Sequence, residues 1–225
     1  MNKFKILTVI SFISLLGYGQ YSIKDSNLIA EDTIYNKNLQ FRVQLKRDKG
    51  DIRVLFILRE NDTILKKIDY SPFGNKLLDF NNDKYTDILF ILPGNTTEIY
   101  ELFIFDSIAK SFQEIEDFDN YPEPLRVKNT IYYYSYHSSG CADFNWDSDL
   151  FLIKGFEIEK LANIHAIGCQ NNTADQGIFV YKYESNNIKP FETINFLEIN
   201  KFKDSKWGFI KEYWESNYQK FISNH

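Results

Sequence analysis

The sequence predicts an all-β fold: an antiparallel meander in a small propeller-like or sandwich-like domain, closed by a C-terminal helix. Three observations carry this. Apolar and polar residues alternate with period two through several short stretches, and clusters of Asn, Asp, Gly and Pro punctuate them. The 15 Tyr and 20 Phe supply rings that pack well on a half-buried pleated surface. Only beyond Ser205 does the apolar spacing change to three and four.

The first residues predict the compartment. Lys3 and Lys5 precede an uncharged apolar run over 6–16, and Gly17, Tyr18, Gly19 and Gln20 follow, the pattern of a secretory signal peptide over 1–19. The run is too short to span a bilayer, and nothing later reaches the ~18 apolar residues that a span needs. The expected product is one exported domain, 20–225, in the periplasm or outside the cell, with about 205 residues to build a core. Losing Lys3 and Lys5 makes the net charge of −5 more negative still, which argues against nucleic acid as a partner. Cys141 and Cys169, an even pair in an exported chain, read as one disulfide.

Taken in order, residues 21–38 show no firm period. Phe41, Val43 and Leu45 alternate with polar neighbours as a strand over 40–46, and turns at 48–51 and 60–62 lead to strands over 52–58 and 63–70. Residues 71–75 break the pattern. Residues 87–92 are apolar at nearly every position, as in a strand covered on both faces. Strands follow at 99–105 and 112–115, while Pro122 and Pro124 mark a loop. Residues 131–137 form an aromatic strand, 138–142 a turn, and 143–153 and 156–167 a hairpin joined by Lys154 and Gly155. That register places Phe151 opposite Ile158, Asp149 opposite Lys160, and Cys141 opposite Gly168, next to Cys169, so strand pairing alone brings the sulfurs together. A strand over 177–183 precedes a polar loop. Trp207, Ile210, Trp214, Tyr218 and Phe221 then define an amphipathic helix capped by Asp204 or Ser205.

The chemistry concentrates before residue 88. Asp79, Asn81, Asp83 and Asp87 stand at positions 1, 3, 5 and 9 of one loop, and the Tyr85 carbonyl falls at position 7. Calcium takes hard oxygen ligands in a flexible shell, which this spacing supplies. Position 6 is Lys84 where a left-handed backbone favours Gly, so a weak, structural calcium site is expected.

The run 79–92 resembles the calcium loop of integrin-type FG-GAP repeats. Over about 75–165 the chain is similar to small exported bacterial proteins that include periplasmic lysozyme inhibitors and immunity proteins against peptidoglycan hydrolases. The resemblance implies a non-enzymatic protein that binds such a hydrolase through a Ser-Gly loop. Ser139 and Gly140 match the start of that loop, and Asp143 stands where the family has a Tyr. The expected partner-binding loop is therefore Ser138, Ser139, Gly140 and Ala142, pinned at Cys141.

Other classes compete with that expectation. A calcium-dependent surface or carbohydrate-binding module would use exposed Tyr and Trp as stacking platforms. Asp143, Asp147 and Asp149 contain the carboxylates of a glycosidase, which needs them paired across a cleft. His137 with Ser138, Ser139 and Asp143 has the residue types of a nucleophilic triad, but adjacent strand residues point to opposite faces. His137 and His165 lack a close-spaced third zinc ligand.

Overall fold

The inward face of the first strand is half polar, which is why its period is obscure in the sequence. The computed structural model describes residues 27–49, 52–94, 98–169, 176–184 and 187–222. The signal-peptide reading lies outside them. Among these residues the protein is antiparallel β in three sheets with one α-helix near the C-terminus. The described residues divide into two compact units, the first running up to 91 and including 105–112, the second comprising 92–104 and the residues from 113 on.

In the first unit β1 (Leu28–Asn36), β2 (Leu39–Arg47), β3 (Arg53–Arg59) and β4 (Asp62–Ile68) form a four-stranded meander. Along β1 the inward positions carry Ala30, Asp32, Ile34 and Asn36. Asn75 donates to Asp32 at 3.0 Å, so that polar position is satisfied. Phe41, Val43, Val54, Leu55 and Ile57 fill the core, and Phe41 meets the rings of Phe105 and Phe112 edge-on at 5.5 and 5.2 Å. β5 (Gly74–Leu78), in a stretch read from sequence as a simple break, pairs with β6 (Asp87–Leu92), Leu78 facing Asp87. The acidic loop is thus the connection of a β-hairpin. Asp87, Ile88, Leu89 and Phe90 are all buried, as the continuous apolar run predicted. β7 (Ile99–Asp106) and β8 (Ser111–Glu114) complete the sheet order β5-β6-β7-β8.

The second unit is built on a seven-stranded sheet. It contains β9 (Leu125–Arg126), β10 (Tyr132–Tyr134), β11 (His137–Ser138), β12 (Trp146–Lys154), β13 (Glu157–Ile167), β14 (Gly177–Glu184) and β15 (Asn187–Ile194). The order is β15-β14-β13-β12-β10-β9, with β11 also against β12. The expected aromatic strand is broken at Ser135 and Tyr136. Ser135 bonds to β12 through its own amide (to Asp149 O, 3.0 Å) while its carbonyl accepts the Ser148 hydroxyl.

The hairpin register differs from the expected one. Lys154 pairs with Glu157, so the loop is Gly155-Phe156, with Gly155 at φ 66° in the left-handed region that its first position requires. A bulge between Leu150 and Phe151 then shifts the pairing again, and Asp149 faces Asn163. β12 begins at Trp146 rather than at 143. The polar stretch after 184 is the edge strand β15, exposed at every position but Ile194. Pro190 is tolerated there because an edge strand need not donate on both sides.

The helix α1 (Lys206–Asn217) buries Phe209, Ile210, Tyr213 and Trp214 in one cluster with Trp146, Leu150, Ile164 and Val180 of the sheet. The fully buried Trp214 Nε1 donates to Ser148 Oγ at 2.8 Å. Ser205 does precede the helix, but its side chain makes no capping bond; a tight turn with Asp204 and Ser205 at φ 64° and 51° delivers the chain. That turn requires Gly208, since a Cβ there would lie 1.8 Å from Lys203 O.

Candidate functional site

Two loops contain the residues singled out in the sequence. In the acidic loop the side chains fold back on the backbone. Asp79 accepts the amides of Asp83 and Lys84 at 3.0 and 2.9 Å, Asp83 accepts that of Tyr85 at 2.8 Å, and Asn81 bridges to Asp83. Lys84, at the Gly position, adopts φ 74°, so the left-handed backbone is present without the residue that favours it. Asn36 holds the loop from β1, donating to Thr86 O at 3.0 Å and accepting Thr86 N at 2.7 Å. Nothing in the acidic pattern points to this anchor, 50 residues away.

Asp87 is separated in role from the other acids. It is fully buried, and its two oxygens accept Phe80 N and Phe105 N, each at 2.9 Å. Burial pushes its carboxyl up to about 6, against those two bonds. Asp79, Asn81 and Asp83 keep oxygen lone pairs beyond the amides they accept. Among the described residues no three His, Cys, Asp or Glu side chains converge as a metal cluster.

The second loop is shaped by its backbone. Gly140, Cys141, Ala142 and Asp143 follow one another at φ 96°, 53°, 48° and 71°, a left-handed turn in which three of the four residues have a Cβ. Each such residue costs about 1–2 kcal/mol, so the surroundings must hold the turn in place. The Cys141–Cys169 disulfide spans it with Cα atoms 6.2 Å apart. Asn145 Oδ1 accepts the amides of Gly168 and Cys169 at 3.0 and 3.2 Å. Asp143 is bound by the Lys206 ammonium and the Tyr136 hydroxyl. Burial raises the Asp143 carboxyl, but Lys206, Tyr136 and Ser138 outweigh it, so it lies below the ordinary range. Burial and the Asp143 hydrogen bond push the Tyr136 phenol well up.

The polar residues beside this loop are paired among themselves. Asp147 takes the Ser139 hydroxyl on one oxygen and His165 Nδ1, at 2.7 Å, on the other. The residue types of a triad are not brought together: Ser139 bonds Asp147, His137 Nε2 meets Ser135 and Asp149, and Asp143 is held by Tyr136 and Lys206. Asp149 is 5 % exposed and meets Lys160 Nζ at 2.7 Å, Asn163 Nδ2 at 2.7 Å and His137 Nε2 at 3.3 Å. Burial raises its carboxyl, and His137 and Lys160 bring it below the usual range. Both acids serve a bonded network instead of facing each other across a cleft.

Around the loop, Phe144 and Trp207 are 55 % and 44 % exposed. The Trp207 ring leans on Tyr136 at 4.1 Å.

No family model and no curated protein matches this chain. A solved structure, "Structure of a Xanthomonas Type IV Secretion System related protein", is similar to it with 15% sequence identity and a TM-score of 0.48, covering 72% of this chain and 93% of that one.

Proposed function

We propose that this is an exported, non-enzymatic binding protein that meets its partner through the stapled loop and carries a structural calcium ion in its acidic loop. The partner is a peptidoglycan hydrolase, toward which the chain acts as inhibitor or immunity protein. One observation carries the reading. The left-handed turn 140–143 is fixed by a disulfide, an ion pair and the Asn145 amide bonds within the chain itself. A loop held in this way loses little conformational entropy on docking, as rigid inhibitor loops require. The disulfide also fits an oxidising compartment, periplasmic or extracellular. Calcium binding is weak, because Lys84 occupies a backbone position that favours glycine.

The test is lysis by a panel of muramidases and other peptidoglycan hydrolases with the purified protein added. Inhibition of one class at micromolar protein is expected. Undiminished lysis across the panel overturns the reading. A second reading, a calcium-dependent carbohydrate-binding module, is favoured by the half-exposed rings of Phe144 and Trp207. A glycan array read with calcium and with chelator separates the two.

A further inference from the structure

Beside the stapled loop lies a cleft of about 460 Å³, with Glu123, Tyr136, Ser138, Asp143 and Trp207 in its walls. That volume lies within the range of small-ligand clefts. Its chemistry is two carboxylates and two aromatic rings, a combination that attracts cations by charge and by ring quadrupole. The chain itself shows what such walls hold. The Lys206 ammonium sits 4.8 Å from the Tyr136 ring centroid and 5.0 Å from that of Trp207, and it is paired with Asp143.

Glu123 accepts a backbone hydrogen bond from Glu98 and holds no ammonium of its own. Its near charges are Glu98 and Asp143, of its own sign, and Lys206, whose ammonium Asp143 already holds. Burial, and then the Glu98 charge, push its carboxyl upward, against the Glu98 backbone hydrogen bond and the more distant pull of Lys206. Its backbone is left-handed, φ 48°, a conformation that a glutamate does not choose for local reasons. The cleft thus combines an excess of negative charge with a half-exposed indole.

We infer that this cleft receives one basic side chain, arginine or lysine, of a protein partner, with its stem on Trp207 and its charged head on the Glu123 carboxylate. Arginine suits the site better, since a planar guanidinium both stacks on an indole and bonds a carboxylate in bidentate fashion. The inference rests on the stapled loop being the contact element, but its test uses no hydrolase, so it can fail or succeed apart from the muramidase panel.

The probe is Nα-acetyl-arginine methylamide, titrated into the ¹⁵N-labelled protein by NMR. The control is the citrulline analogue, which keeps the shape and lacks the charge, and N-acetylglucosamine trimer serves as the sugar probe. Saturable shifts of the Trp207 indole N–H and of the Glu123 and Tyr136 amides are expected with arginine and not with citrulline. Binding should weaken as salt is raised. Glu123→Gln, checked for an unchanged spectrum elsewhere, should weaken arginine binding about fivefold, the upper end of what one exposed ion pair contributes. Trp207→Ala should weaken it as well and supplies a second variant should Glu123→Gln disturb the loop. Equal shifts with citrulline, binding indifferent to both substitutions, or shifts caused by the sugar alone would overturn the inference.

Discussion

The buried carboxylate of Asp87 gives the fold a pH dependence opposite in sign to that of a salt-bridged acid. Desolvation dominates and places its pKa at about 6, against 3.8 ordinarily, even though the Phe105 and Phe80 amides pull it down. The folded protein therefore binds this proton more tightly than the unfolded chain does. Its contribution to stability is complete below pH 3.8 and is lost as pH rises through about 6. At 1.36 kcal/mol per unit the shift amounts to about 3 kcal/mol, roughly 6–12 °C in Tm for a chain of this size. Asp87→Asn abolishes the titration and keeps the shape. Its amide offers one acceptor to two buried N–H groups, a cost of about 1–3 kcal/mol that does not vary with pH. Thermal melts of both proteins between pH 3.5 and 7.5, with chelator present, isolate the effect in their difference. The wild type should lose ground to the variant between about pH 4 and 6.5. A difference that stays flat, or that moves in favour of the wild type as pH rises, would refute the assignment of a desolvated clamp.

Three further outcomes are expected. Asp149→Asn strips the partner from Lys160 and should cost about 2–3 kcal/mol in urea denaturation at pH 7, less than a fully buried pair because Lys160 is 28 % exposed; since the Asp149 carboxyl lies below the ordinary range, the difference should vanish as acid protonates it. Cys141→Ser opens a loop of sequence separation 28 and should lower stability by about 3–4 kcal/mol, while the unreduced wild type should release no thiol to a thiol reagent. Asp79→Ala with Asp83→Ala should lower Tm more in calcium than in chelator, and equal losses in both would leave the loop without an ion.

The fold was legible wherever one face of a strand or helix is apolar and the other polar. Phe41, Val43 and Leu45, the unbroken run from Ile88 to Leu92, and the spacing of Ile210 and Trp214 all predict the element that forms. Where that contrast is missing, the strand is invisible. β15 buries neither face, so Lys189, Pro190 and Glu192 read as loop. β1 fails for the opposite reason: its inward positions include the half-buried Asp32 and the buried Asn36, whose polar groups are satisfied by Asn75 and Thr86 from distant parts of the chain. The hairpin register departs from the expected one first at the loop, which is Gly155-Phe156 and not Lys154-Gly155, and again at a bulge between Leu150 and Phe151 that no apolar pattern encodes.

The stapled loop marks the same boundary at the level of a site. Its disulfide is legible in composition, since a chain with two cysteines has one pairing available. Its conformation does not. A left-handed turn built from Cys141, Ala142 and Asp143 is disfavoured at each position when those residues are taken alone, and Gly140 is the lone local hint. It persists because Lys206, 63 residues on, and Tyr136, seven before, both bind the Asp143 carboxylate. The same pairing commits the Lys206 ammonium to Asp143, so Glu123, in the wall of the same cleft, keeps Glu98 and Asp143 of its own sign nearby and no ammonium of its own. The Asp143–Lys206 pair therefore helps to hold the turn and offsets one of the two carboxylates of the cleft. Lys206→Met should disturb both, relaxing the loop and deepening the negative potential beside Trp207.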